Sequence, residues 1–114
     1  MKLKASLTLK AGVAAGWVAL SALIMPNLAL AAGDPAKGKA KSAVCTSCHG
    51  ANGKAMIPTY PHIAGQNALY LESSLKAYRD GQRTGGQASI MSGMVAQLTN
   101  QDIADLAAYF SSLK

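Results

Sequence analysis

Apolar residues recur at three- and four-residue intervals near the end of the chain. Ile103, Leu106, Ala107, Phe110 and Leu113 form one stripe, the spacing of a helix with a single buried face. Thr99, with Asp102 three residues on, supplies a variant of the capping box at its start. A second stripe, Ala68, Leu71, Leu75 and Tyr78, predicts a helix over residues 67–80, and Gly81 fits its C-terminal cap. A third helix begins at Asp34-Pro35, an N-cap residue followed by proline at the first helical position. It runs through Val44 into Cys45-Thr46-Ser47-Cys48-His49. Gly38 inside it costs about 1 kcal/mol relative to alanine, tolerable where another helix crosses closely. Packing the terminal stripe against this helix at Gly38 closes the expected fold. Residues 50–65 and 82–89 read as loops, and residues 90–98 as a short apolar stretch containing Met91 and Met94. Period-two alternation is almost absent beyond residue 31, so the fold class is all-α.

The N-terminal segment follows another logic. Lys2, Lys4 and Lys10 precede an apolar run from Ala11 to Met25, which Pro26 and Asn27 interrupt. Ala29-Leu30-Ala31 then gives the small-x-small pattern that signal peptidase accepts. We expect a cleaved secretory signal peptide at residues 1–31 and one domain at residues 32–114, exported to the periplasm. An uncleaved membrane anchor is the rival, because residues 11–32 are nearly long enough to span a bilayer. Pro26 and the small residues at the exit favour cleavage.

Charge narrows the partners. The whole chain carries a formal charge of +6, and residues 32–114 keep eight basic against five acidic side chains. The basic residues are scattered, and aromatic residues do not interleave with them as a base-stacking surface requires. Nucleic acid is therefore not an expected partner. A domain this small, with few large apolar residues, also needs a staple beyond its own core.

Cys45-x-x-Cys48-His49 is the segment with the most chemistry in it. Two cysteines this close in an exported chain also suit a redox-active disulfide of the thioredoxin-like kind, but that fold needs strands alternating with helices, and it leaves His49 unexplained. A zinc site needs a fourth ligand, and only His62 is nearby. The pattern Cys-x-x-Cys-His is instead the attachment site of a c-type haem. Two thiols add to the two porphyrin vinyls, and the adjacent imidazole binds the iron. On a helix, Cys45, Cys48 and His49 lie on one side, so one turn holds the macrocycle at both vinyls and at the metal. One haem c, covalently bound through Cys45 and Cys48 with His49 as proximal iron ligand, is the expected cofactor and the missing staple.

The opposite axial position has several candidates. Met56 is seven residues from His49, a reach of roughly 23 Å that demands an almost straight path around the ring. Met91 and Met94 lie far along the chain and cross easily, although a methionine pair at this spacing also serves as ordinary core packing. His62 would give bis-histidine iron, but its position after Pro61 also suits a surface residue.

The ordered motifs go further. Cys45-x-x-Cys48-His49-Gly50-x-x-Gly53 is followed by Pro61-x-Ile63-Ala64-Gly65-Gln66, Tyr70-Leu71, Arg79-x-Gly81-x-Arg83 and Met91-x-Gly93. Leu98-Thr99-x-x-Asp102-Ile103-x-x-Leu106-x-x-Tyr109 completes the series. Over residues 32–114 this resembles the class I c-type cytochromes, most of all a single domain of the diheme cytochrome c-four group or its monohaem relatives. The resemblance implies a small class I cytochrome c fold, with helices wrapped around one covalently bound haem. It implies Met91 as the distal iron ligand, with Met94 as runner-up, and the Pro61 carbonyl as acceptor of the proximal imidazole N–H. Arg79 and Arg83 are candidates for the neighbourhood of the haem propionates, and a solvated helix end accounts for them equally well.

The function this implies is a periplasmic single-electron carrier in a respiratory or related electron-transfer chain. It is an electron-transfer protein and not an enzyme. Its partners would be redox protein donors and acceptors, bound transiently, with membranes approached only through membrane-bound redox partners. A cytochrome subunit that accepts electrons from a periplasmic dehydrogenase is an alternative. A haem gas sensor or enzyme, with an open sixth site, is another.

Overall fold

The computed structural model describes residues 32–114 together with Ala11, Gly12 and Gly16. The expected signal peptide at residues 1–31, and its reading as an anchor, otherwise lie outside the described residues. Among the described residues no helix is long and apolar enough to cross a membrane.

Five helices follow in order: α1 Pro35–Lys41, α2 Ala43–His49, α3 Ala68–Arg79, α4 Ala88–Val95 and α5 Asn100–Ser112. No strand occurs among the described residues. Three helix starts are fixed by side chains, of which Asp34 and Thr99 are read as caps from the sequence and Asn67 is not. Asp34 accepts from the backbone N–H of Ala36 and Lys37 at the head of α1. Asn67 accepts from Tyr70 N–H at the head of α3. At α5 both halves of the capping box are made, with Thr99 N–H on Asp102 Oδ2 at 2.9 Å and Asp102 N–H on Thr99 Oγ1 at 3.1 Å.

Two elements depart from the sequence reading. The first helix does not run unbroken into the cysteine motif but turns at Ser42, which separates α1 from α2. Ser42 Oγ donates to Lys39 carbonyl at 2.8 Å, a side-chain bond that competes with the regular helical ladder. The short apolar stretch after the second loop is a full helix, α4, displaced toward the N-terminus from the expected residues 90–98.

The core forms where α5 is crossed. Ile103, Leu106, Ala107 and Phe110 are buried, and Leu71 of α3 joins Leu106, Ala107 and Phe110 in one cluster. Cys45, Ile63, Leu75, Leu98, Tyr109 and Leu113 pack around it. α1 crosses α5 at Gly38, as the sequence predicts. A Cβ at Gly38 would overlap the Asp105 carbonyl and the Tyr109 Cβ, so the two backbones meet there without an intervening side chain.

Beside this crossing lies a polar cluster that no local pattern announces. Asp105, wholly buried on α5, accepts from Asp34 N–H at 2.8 Å, Lys41 Nζ at 2.8 Å and Gln101 Nε2 at 2.9 Å. Lys41 also pairs with Asp102 at 2.7 Å. The Asp34 N–H, then Lys41 and Gln101, hold the Asp105 carboxyl well below the usual carboxylate range. Lys41, followed by the Thr99 backbone N–H and hydroxyl, brings Asp102 down to about 2. The cluster ties both ends of α1 to α5 and so fixes where α2 begins.

Candidate functional site

Helix α2 turns Cys45, Cys48 and His49 toward one cavity of 530 Å³, within the range of cofactor sites. Its walls are mostly apolar. Ile63, Leu71, Leu75, Leu106 and Phe110 line one part, and Met91, Met94 and Val95 of α4 another. Every site residue expected from the sequence reaches this space: Cys45, Cys48, His49, Pro61, Met91 and Met94.

His49 is buried, and its Nδ1 lies 2.9 Å from the Pro61 carbonyl oxygen. A carbonyl can only accept, so Nδ1 carries the proton and donates. The Nε2 lone pair of the neutral ring is then left to bind a metal. The loop that delivers Pro61 is held by its glycines. Gly50 and Gly53 have φ of +83° and +72°, and a Cβ at Gly50 would overlap the Lys54 carbonyl. The Gly53 carbonyl then accepts from Ile63 N–H at 2.8 Å and Ala64 N–H at 3.0 Å, closing the loop behind Pro61. Gly65 N–H on the Phe110 carbonyl at 2.9 Å fastens its far end to α5. Tyr60 stands tilted beside the imidazole, with ring centroids 6.5 Å apart.

The two thiols are free and half-buried. Burial, and secondarily Cys48, pushes the Cys45 thiol up. A reactive Cys-x-x-Cys pair works by the opposite shift, and the described residues form no sheet to carry a thioredoxin-like site. No group of three or more His, Cys, Asp or Glu side chains among the described residues is placed to hold a metal ion, so the zinc alternative lacks its donor set. The remaining arrangement suits a porphyrin. It offers an apolar slot, two thiols from one helical turn, one imidazole with a free Nε2, and thioethers on a separate helix.

The other axial candidates separate clearly. Met56 is 93% exposed and does not line the cavity. His62 lines it but is exposed, and its Nδ1 accepts from Ala55 N–H at 2.8 Å. Met91 is half-buried whereas Met94 is about half exposed. The two arginines also part. Arg79 donates to the Leu98 carbonyl at 3.2 Å and Asn100 Oδ1 at 2.9 Å, joining the end of α3 to the start of α5. Arg83 faces the cavity, over the ring of Tyr78. Tyr60 and Tyr78 were not expected at the site. Tyr78 belongs to the apolar stripe of α3, whereas nothing in the local sequence marks Tyr60, whose place depends on where the 50–65 loop closes.

Comparison with known proteins agrees with this geometry. The family model described as cytochrome c matches residues 35–114. The chain is 56% identical over 81 residues to cytochrome c-554(548) of Halomonas halodenitrificans, covering 71% of this chain and 98% of that protein. It is 46% identical over 95 residues to cytochrome c4 of Pseudomonas aeruginosa, covering 83% of this chain and 46% of that one. The crystal structure of reduced recombinant cytochrome c4 from Pseudomonas stutzeri superposes with a TM-score of 0.64 at 40% identity, over 73% of this chain and 47% of that chain. The chain thus spans nearly all of the first relative and about half the length of the cytochromes c4.

Proposed function

For this chain, which belongs to the cytochrome c family, we propose the role of a periplasmic shuttle that passes single electrons between redox proteins. Members of the family are electron carriers that hold haem c covalently through Cys-x-x-Cys-His, and the chain has that motif at Cys45, Cys48 and His49. The haem iron supplies the one-electron chemistry, alternating between ferric and ferrous. In our reading Cys45 and Cys48 form the two thioethers, His49 binds the iron through Nε2, and Met91 takes the other axial position.

The observation that carries this reading is the 2.9 Å bond from His49 Nδ1 to the Pro61 carbonyl. It orients the imidazole and strengthens it as a ligand, leaving Nε2 for a metal. The mostly apolar walls suit the face of a porphyrin. A thioether ligand from Met91 favours ferrous iron and raises the potential relative to a second imidazole. With both axial positions filled, the protein's tasks are to tune the potential, expose an edge and dock briefly. The expected signal peptide at residues 1–31 supports export to the periplasm.

Intact mass and a pyridine haemochrome of protein from a host that matures c-type cytochromes test the cofactor sites. One haem is expected, and a colourless product with the mass of the bare processed peptide would refute the attachment. Met91→Ala should abolish the far-red charge-transfer band of ferric iron–thioether bonding, lower the potential and admit carbon monoxide to the ferrous form. Met94→Ala should leave all three near native. The reverse pattern would move the distal ligand to Met94.

A further inference from the structure

His62 is exposed, lines the cavity and enters no ion pair among the described residues. It follows Pro61, whose carbonyl meets His49, and precedes Ile63, whose N–H bonds back to the Gly53 carbonyl. Its Nδ1 accepts from Ala55 N–H at 2.8 Å. An amide N–H can only donate, so Nδ1 is bare and the neutral ring carries its proton on Nε2. A second proton has one place to go, the Nδ1 at which the Ala55 N–H points. The charged ring must therefore release Ala55.

No carboxylate is free to neutralise that charge. The chain has five acidic side chains, and all are engaged elsewhere. Asp34 caps α1, Asp102 and Asp105 meet Lys41, Glu72 pairs with Lys76, and Asp80 pairs with Arg79. None of them lines the cavity. On the loop itself, Lys54 is exposed and Tyr60 lies beside His49 of α2, whose Nδ1 proton is given to Pro61. Across the cavity stand Tyr70 and Tyr78 of α3 and, after that helix, Arg83. Imidazole is the side chain whose charge ordinarily changes between pH 5 and 8, and His62 is the cavity imidazole whose ring is not tied to the proximal position.

We propose that His62 is a proton site linked to the haem: it takes a proton from solvent onto Nδ1 as a donor protein delivers one electron to the iron, and returns it when the electron leaves. In mildly acidic surroundings the carrier then moves a fraction of a proton with each electron. This rests on the reading that haem c occupies the cavity. Reduction removes one positive charge from the iron, so an uncompensated imidazolium is less costly beside ferrous than beside ferric haem. The effect is reciprocal: by the factor that reduction strengthens proton binding, protonation favours reduction. One charge felt through near-aqueous dielectric sets that factor at about threefold.

The test uses the holoprotein, with spectroelectrochemical titration from about pH 5 to 8 and NMR of the His62 ring protons in both oxidation states. The native reduction equilibrium constant should be about threefold larger at the acid end, and the His62 titration should move with oxidation state. His62→Asn sets an amide oxygen where Nδ1 stands, so it keeps an acceptor for Ala55 but cannot titrate. It should match native at the alkaline end and stay flat toward acid. Protection of the Ala55 amide against hydrogen exchange should fall on acidification in the native protein and hold in His62→Asn.

A slope of undiminished size in His62→Asn would assign the pH dependence to the haem carboxylates and overturn the proposal. A flat native profile would overturn it too. If His62→Asn yields no holoprotein, the native NMR titration decides: separate midpoints in the two oxidation states support the linkage, and coincident ones overturn it. A native chain without haem would instead overturn the reading of the cavity itself.

Discussion

Where α1 crosses α5, backbone meets backbone at Gly38, a buried carboxylate takes three donors, and both helix starts are capped by side chains. On the far side of α3, helix α4 has no side-chain cap, and only Ala88 and Val95 of its residues are buried. Ile90 and Met94 are 43% and 52% exposed, and Met91 looks into the cavity. The first region is held by protein atoms alone. The second is one wall of a slot whose other contents are the haem. Burial and hydrogen bonding are thus divided unequally, with rigidity placed beside the helix that carries His49 and the sparser packing placed on the wall that carries Met91, our proposed distal ligand.

Removing the cofactor tests this division most severely. Cys45→Ala/Cys48→Ala leaves the slot without its covalent plate. We expect loss of most helical circular dichroism, because a domain of this size buries too little on its own. Hydrogen exchange of whatever remains should show weak protection of the α4 amides, since α4 has no side-chain cap and buries only Ala88 and Val95. A native-like helical spectrum with a sharp thermal transition would contradict the claim that the haem staples the fold.

The opposite region breaks at a single atom. Gly38→Ala puts a methyl into the Asp105 carbonyl, and backbone cannot swing aside as a flexible side chain would. Overpacking of this kind costs about 3 kcal/mol, a fall in the thermal midpoint of roughly 12 °C or more for a domain this small. The haem spectrum should stay native below the transition, because the hydrogen bond from His49 of α2 to Pro61 of the 50–65 loop lies outside the crossing. A thermal midpoint within a degree or two of native would mean that the crossing is looser than it looks.

How legible each region was follows from what holds it. The α5 stripe, the Thr99–Asp102 capping box and the close approach at Gly38 are written in spacing and residue type, so the crossing was readable in outline. Cys45, Cys48 and His49 were readable because one helical turn imposes their spacing. Helix α4 was not, since a short apolar run is compatible with several local structures and its length is settled by packing on α3. The turn at Ser42 hangs on one side-chain bond to Lys39. Asp105 was invisible as an anchor: an acidic residue next to an apolar stripe reads as solvent-facing, and its donors Asp34 and Lys41 lie 71 and 64 residues away. Arg79 and Arg83 share one motif and were inseparable until the fold sent one to α5 and the other to the cavity.

That hidden anchor gives the subtlest difference between the regions, and acid exposes it. Asp105 and Asp102 are both depressed in the folded protein, the former chiefly by the Asp34 N–H and the latter chiefly by Lys41. A carboxyl depressed on folding contributes stability above its unfolded value near pH 4, and loses it as pH falls through its folded value. For Asp102 that folded value is about 2. Stability of the holoprotein should therefore decline from about pH 4 toward pH 2 through the α1–α5 cluster. Asp105→Asn keeps an acceptor for the Asp34 N–H but no charge for Lys41, so it should be less stable than native at neutral pH and show a shallower acid decline. Denaturant titrations at a series of pH values should show the gap between the two proteins narrowing steadily from about pH 4 to pH 2. Curves that run parallel down to that pH would show that the cluster positions α1 by shape, with its charges contributing nothing to the acid response.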